Sequence, residues 1–571
     1  MARTGRYAII EQLLADDISY MFGNPGTVEQ GFLDALGSYP DMRYILTLQE
    51  TIAVGIADGY ARATKRPAVV QLHSGVGLGN GVGMMYQAKR GCAPLVVMAG
   101  ESGLRYDAMD AQMAADLVGI ARPVTKWATR VVDPGSMLRV LRRAIKIAAT
   151  PPMGPVFVAL PADVLDEPND EPVVPTSIPR TRVAPDASLV EEAASLLMGA
   201  ERPMIIVGDG VAASGAQSEL TRVAESLGAV VWGANSSEVN MDERHPLFAG
   251  HLGHMFGHHS RPIVGQADAL LIVGTYVFPE VFPELSSPFA DGARLVHIDL
   301  DAYEIAKNFG ADLGLVSDPA ATLGALADSL ERRLTDAHRE AARTRTAARA
   351  AAKDQQLAAL RDEDARSRQA AALHASEFME ALADRLPADA LVFDESLTFS
   401  PEVTQYLPPR VPGSFFQTRG GSLGVGIPGA IGLKLAHPDR TVVGFTGDGG
   451  SMYTIQALWT AAHHRIGAKF VVLDNGAYQL LKLNIQQYWK DQGLPEGEFP
   501  ASFDLGDPDI RFDRLAGSMG VPAARVESSD QVGAALDRAF ADDGPFLIDL
   551  VVSNEVQHDL SRAKHSRAGQ S

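Results

Sequence analysis

The stretch Thr441-Val442-Val443-Gly444-Phe445-Thr446-Gly447-Asp448-Gly449-Gly450, followed one helix-length later by Phe470-Val471-Val472-Leu473-Asp474-Asn475-Gly476, decides the fold. In each part a short β-branched apolar run ends in a glycine turn that carries one hard-oxygen side chain. Runs of this length bounded by glycine read as buried strands. Two of them joined by a helical segment form a βαβ unit of a parallel sheet. Asp448 and Asn475 then stand at the carboxyl ends of neighbouring strands, where open α/β sheets bind ligands. A carboxylate and an amide oxygen suit Mg²⁺. The glycines let backbone amides approach a phosphate, and a helix expected from about Ser451 would aim its N-terminus at it. The stretch therefore reads as a Mg²⁺–diphosphate site.

Similar runs recur at 68–72, 95–99, 156–160, 204–207, 269–273, 295–298 and 546–551, with helical patterns between them. One sheet cannot hold them all. The expectation is an α/β protein of three doubly wound parallel-sheet domains, at 1–170, 184–335 and 372–555. Clustered prolines at 166–183 read as an extended linker. Residues 336–371, rich in Ala, Arg and acids, read as an exposed helical connector. Its charges at Arg361, Asp362, Glu363, Asp364 and Arg366 read as a solvated face, and 556–571 is a basic tail.

Seventy acidic against fifty basic residues leave a net charge of −20. That balance excludes nucleic acid as a partner, because phosphate backbones need a basic footprint. An anionic cofactor must be held by local devices. A single cysteine, Cys92, excludes an intrachain disulfide framework and reads as a buried inert thiol. No signal-peptide pattern and no membrane-length apolar run is present, so a cytoplasmic protein without membrane attachment is expected.

The Gly447–Gly450 turn paired with Asn475-Gly476 resembles the diphosphate motif of thiamin-diphosphate enzymes. The resemblance implies Asp448, Asn475 and the Ala477 carbonyl as metal ligands. Many members have Asn-Asn where this chain has Asp474-Asn475. It further implies Glu50, opening the apolar run Ile52-Ala53-Val54-Gly55-Ile56, as the acid that activates the cofactor's pyrimidine, and Leu423, in Gly420-Gly421-Ser422-Leu423-Gly424, as the apolar support beneath the bent cofactor. Glu395, Ser396, Leu397 and Thr398 would cap a helix and help hold the diphosphate. Pro25, Gly26, Gly421, Ser422, Gly447, Gly449, Gly450 and Tyr478 complete the expected cofactor contacts. In this family the activating Glu and the diphosphate motif come from different subunits, so self-association as a dimer or tetramer is implied.

Phe22-Gly23-Asn24-Pro25-Gly26-Thr27, Leu48-Gln49-Glu50, Leu72-His73-Ser74 and Ala457-Leu458-Trp459-Thr460 resemble the benzoylformate-decarboxylase-like branch. His73 sits where that branch keeps a catalytic histidine, and Thr27 replaces a serine that meets the substrate carboxylate. Gln112, Leu480 and Leu481 are the further substrate candidates. A second active-site histidine of that branch is missing from Gly274–Val281, with Val281 in its place. Glu496 and Glu498, in a polar insertion, are candidates to supply its proton.

The implied activity is a Mg²⁺- and thiamin-diphosphate-dependent C–C lyase, decarboxylating a benzoylformate-like 2-oxo acid and capable of carboligation. A close rival is 2-hydroxyacyl-CoA cleavage to a carbonyl compound and formyl-CoA, with the basic residues Arg562–Arg567 as a candidate lid over the coenzyme. An acetohydroxyacid-synthase-like role and a non-catalytic cofactor-binding protein rank lower. Glu50 argues against the latter. Gly208-Asp209-Gly210 departs from Gly-x-Gly-x-x-Gly, so FAD is not expected in the central domain. The cluster His251, His254, His258 and His259 has no acid within 249–262 and reads as a polar loop and helix start.

Overall fold

The computed structural model describes residues 3–253, 255–370 and 373–553. Its strands are the runs that can be buried on both faces. The first sheet contains β1 (Tyr20–Gly23), β2 (Arg43–Leu46), β3 (Ala68–His73), β4 (Leu95–Glu101), β5 (Trp127–Arg130) and β6 (Val156–Pro161), in the order β2-β1-β3-β4-β6-β5. The second contains β7 (Pro203–Val207), β8 (Val230–Gly233), β9 (Phe248–His251), β10 (Ala269–Val273), β11 (Arg294–Asp299) and β12 (Leu313–Val316), ordered β12-β11-β10-β7-β8-β9. The third contains β13 (Leu391–Glu395), β14 (Phe415–Gln417), β15 (Val442–Gly447), β16 (Lys469–Asp474), β17 (Ala523–Val526) and β18 (Phe546–Val551), ordered β14-β13-β15-β16-β18-β17. Every pairing is parallel. The first and third sheets share one topology, a repeat that the sequence shows only as two similar glycine-rich segments. Each reverses direction between its first and third strands, and that switch point is where such sheets open a ligand crevice.

The first and third sheets meet through the helices Glu50–Thr64 and Gly426–Ala436. Their backbones touch. A Cβ on Gly59 would overlap the carbonyl oxygen of Gly429, and one on Gly432 would overlap that of Ile56. Gly59→Ala should therefore force the helices apart at a cost of about 1–3 kcal/mol, read as a lower denaturant midpoint. An unchanged midpoint would show that the contact carries no constraint. Beside this seam Arg62 is fully buried. It donates to the carbonyl oxygens of Gln417 (2.9 Å) and Ser237 (3.2 Å), and its charge faces Asp58 and Glu238. One guanidinium thus ties all three sheets' surroundings together, and breaking such a buried pair from one side is costly.

Two sequence expectations change here. The 166–183 segment is extended, yet it is strapped to the first sheet's helices rather than loose. Gln12 donates to Val174 O (2.7 Å), Arg3 to Asn169 O (2.9 Å), and the Thr176 amide to Asp16. The connector is one helix, Asp336–Ala370, but Asp364 on it is buried, not solvated. Gln405 Nε2 (2.8 Å) and Tyr406 Oη (2.9 Å) donate to its carboxylate and offset the burial. Among the described residues no helix is long and apolar enough to cross a membrane.

Candidate active site

β15 ends at Gly447, and Asp448 opens a one-turn helix, Asp448–Ser451. β15 and β16 run in register, Gly447 beside Leu473, which places Asp448 near Asn475. The geometry is convergent. The Ala477 amide donates to Asp448 Oδ2 (3.2 Å) and to Asn475 Oδ1 (3.0 Å), while Gly449 N donates to Asp448 Oδ1 (2.6 Å). Burial pushes the Asp448 carboxyl up, against the pull of these amides. A bound cation would reverse that push. Asp448, Asn475 and Ala477 are all buried together, a carboxylate, an amide and a carbonyl, which is a hard-oxygen donor set that fits Mg²⁺. The expected helix from Ser451 is absent: the helix begins at Asp448 and ends after one turn, and the next is Ala457–His463. The amides that could approach a phosphate are those at the start of this one-turn helix, after Gly447.

The glycines of this turn have separate reasons. Gly447 faces open space, whereas a Cβ on Gly449 would overlap the ring of Tyr478, which therefore closes over the turn. Asp474 is held by a partner of its own, though it still feels the Asp448 charge. It pairs with Arg525 (3.1 Å), which also holds the buried Asp549 (2.9 Å). This pairing accounts for an Asp where the family pattern has Asn.

Across the crevice, Glu395 ends β13 and is 1% exposed. Its carboxylate accepts from the amides of Gly424 (Oε1) and Gly426 (Oε2), so it fixes the turn that presents Leu423. Burial pushes it up to about 7. The side chain supports the turn from beneath. Ser396 does not cap a helix. Its hydroxyl bonds Asp394 Oδ1 (2.5 Å), and a 3₁₀ turn, Leu397–Phe399, precedes the helix Ser400–Tyr406. Leu397 has φ 51, a strained conformation at the crevice edge, where Leu397 and Thr398 are half-buried. Gly421 is exposed with φ 72, and Ser422 and Leu423 are half-buried beside it.

The first sheet supplies the other half. Gln49 caps the helix Glu50–Thr64 through the Thr51 amide (2.6 Å). Glu50 is 8% exposed, as its apolar neighbours led one to expect. Its Oε2 accepts from Asn80 Nδ2 (3.0 Å), and its carboxylate packs on Gly77. Gly77 lies in the helix Ser74–Arg90, where its lack of a side chain makes room for the Glu50 carboxylate.

His73 ends β3. Its Nδ1 meets Glu29 Oε2 at 2.9 Å, and Glu29 Oε1 accepts from the Gly100 amide (3.0 Å). Glu29 is 3% exposed, and burial pushes its carboxyl up. Gly26 lies directly on the imidazole, where a Cβ would overlap the ring. His73 Nε2 makes no hydrogen bond among the described residues. Sequence reading missed Glu29, because its partner lies 44 residues away and no local spacing marks it. Pro25 and Thr27 are exposed beside this pair. Gln112 is exposed in a loop tied to the start of the helix Ser74–Arg90 by the bond from Ser74 Oγ to Met113 O (3.0 Å).

Leu480 and Leu481 lie on the helix Gln479–Asp491, which buries only Leu483 fully. Glu496 and Glu498 are exposed on the following loop, where Phe499 stacks on Trp489, and neither carboxylate makes a hydrogen bond or ion pair among the described residues. Val281 is 61% exposed. His251, contrary to the absence of nearby acids in sequence, binds Glu243 (2.7 Å). His254 and the tail Arg562–Arg567 lie outside the described residues. Among those described, no hydrogen bond or ion pair joins Glu50 or His73 to Asp448, Asn475 or Ala477.

The chain matches known proteins along nearly its full length. Residues 3–120, 190–326 and 398–550 match the N-terminal TPP binding, central and C-terminal TPP binding domains of the thiamine pyrophosphate enzymes. Benzoylformate decarboxylase of Pseudomonas aeruginosa is 33% identical over 555 residues, covering 96% of this chain and 98% of that protein. Acetolactate synthase isozyme 2 large subunit of Escherichia coli is 28% identical, covering 96% and 95%. A solved structure of the thiamine diphosphate-dependent 4-hydroxybenzoylformate decarboxylase of Rhodococcus jostii RHA1 superposes with TM-score 0.82 at 27% identity, covering 96% and 99%. A buried cluster of hard-oxygen donors on one repeat of the fold, a buried carboxyl group on the other and these full-length matches lead to one conclusion: the chain belongs to the thiamine pyrophosphate enzyme family.

Proposed function

We propose that this enzyme decarboxylates an aromatic 2-oxo acid of the benzoylformate type, with Mg²⁺ and thiamin diphosphate, in an assembly of two or four chains. The observation that carries the reading is the His73–Glu29 pair at the end of β3, beside Thr27. The relatives named benzoylformate decarboxylase support the same choice. Thiamin diphosphate, when bound, supplies the nucleophilic carbon and the electron sink for loss of CO₂.

The chain's own residues do the rest. Asp448, Asn475 and the Ala477 carbonyl would hold the metal, and Leu423 would support the cofactor. Glu50 keeps one oxygen on Asn80 and leaves the other for the pyrimidine. The Thr27 hydroxyl would orient a substrate carboxylate. Glu29 sets the ring orientation of His73 and favours a proton on Nδ1. Nε2, after taking a proton from solvent, would hand it to the reacting carbon: the bond to the carboxylate breaks, CO₂ leaves with the bonding pair kept by that carbon, and the carbon takes the proton to give the aldehyde. Because no hydrogen bond or ion pair among the described residues links Glu50 to Asp448, Asn475 or Ala477, we infer that Glu50 of one subunit would serve the Asp448 of another.

Carboligation, forming a C–C bond with the same groups, is the activity the acetolactate synthase relatives support. The 2-hydroxyacyl-CoA reading rests on Arg562–Arg567 and gains nothing from the described residues. A substrate panel tests the proposal. Benzoylformate should be turned over with higher kcat/KM than pyruvate or branched 2-oxo acids; a preference for pyruvate would overturn it. His73→Ala should lower kcat on benzoylformate by roughly 10²–10⁴-fold, the usual range for a proton-transferring side chain. Full activity in that variant would remove His73 from the mechanism.

A further inference from the structure

We propose that the cleft between the helix Asp336–Ala370, strand β9 and the helix Ser400–Tyr406 binds a phosphate-bearing anion. Arg244, Arg349 and Lys353 line it, with Trp232, Phe248 and Leu357 as an apolar wall. Its volume of about 80 Å³ is room for a compact oxyanion or a few waters, at about 10–15 Å³ each. None of these residues belongs to the candidate active site.

The charges are unbalanced. Three cations line the cleft against one acid, Glu243, and that acid already binds His251. Two of the cations have partners: Lys353 uses all three of its donors and contributes charge alone, and Arg244 uses one nitrogen. Lys353 Nζ donates to the carbonyl oxygens of Glu243, His245 (2.8 Å) and Phe248 (2.9 Å), and Arg244 donates to Gln405 O (3.1 Å). Arg349 makes no hydrogen bond or ion pair among the described residues. It is half-buried all the same, and desolvation pulls it below its ordinary range with no acid opposing. Lys353 is pulled down to about 8 by the same cause. Around Arg244, Arg361 and Arg410 add positive charge and Asp242 offsets part of it. In a chain of net charge −20, such a surplus needs an explanation. A dianion cancels the excess of two, and guanidinium groups bind phosphate through charge-assisted hydrogen bonds. An occupant would touch the connector helix, the central sheet and the third domain together, so it would stabilise their arrangement.

The test is calorimetric titration of inorganic phosphate into holoenzyme saturated with thiamin diphosphate and Mg²⁺, which keeps the diphosphate site filled. One phosphate should bind per chain and raise the thermal midpoint. Arg349→Gln should weaken binding about tenfold or more while leaving the phosphate-free midpoint unchanged, and Arg349→Lys should retain most of it. A phenyl phosphate arm distinguishes the source: tighter binding than inorganic phosphate marks an ester with an organic body against Trp232, weaker binding marks the free anion. No binding to the wild-type holoenzyme at millimolar phosphate, or equal binding to Arg349→Gln, overturns the proposal.

Discussion

Glu50→Gln should lower kcat by roughly 10²–10⁴-fold while changing cofactor affinity only a few-fold. Glutamine keeps the shape and still offers an oxygen to Asn80 Nδ2, so the local packing on Gly77 survives. What it lacks is an exchangeable carboxyl proton. Binding and chemistry should therefore separate: fluorescence titration with thiamin diphosphate gives a near-normal Kd, and the decarboxylation assay gives almost no product. Retained turnover would show that another group activates the cofactor. Glu50 is buried among apolar residues and has one neutral hydrogen-bond partner. A carboxyl group in that setting is unusual unless its proton is used.

Asp448→Ala should weaken Mg²⁺-dependent cofactor binding by at least about 10–100-fold, the loss seen even for groups that only support a metal ligand. Calcium or magnesium titrations of the apoenzyme would read it directly. Asp474→Asn is the informative contrast. Asp474 is the adjacent residue, but it faces Arg525 and the buried Asp549, whose carboxyl is pushed up to about 6. The variant should lose stability through the Arg525 cluster and keep its metal dependence. Equal loss of metal affinity in both variants would contradict the assignment of Asp448 and Asn475 as the ligand pair.

The long buried strands were legible because each is a continuous apolar run: β3, β4, β6, β15, β16 and β18 all show this. The strands β1, β2, β5, β8, β9, β12, β14 and β17 went unread. They have three or four residues each, too few to produce a periodic signal. β1 matters most, since its end begins the loop that carries Gly26 and Glu29. Among site residues, Asp448, Asn475 and Glu50 could be read because glycine turns or apolar neighbours mark them. Glu29 could not, because its role exists only once β3 brings His73 to it. For Glu395, sequence shows its position after a strand, not that three-dimensional packing turns it onto the amides of Gly424 and Gly426.

The most direct measurement of the central claim is benzaldehyde release from benzoylformate by enzyme stripped with a chelator and then reconstituted. Activity should return only when thiamin diphosphate and Mg²⁺ are both supplied, with one CO₂ released for each benzaldehyde. Benzaldehyde formation without either component, or none with both present and bound, would contradict the account.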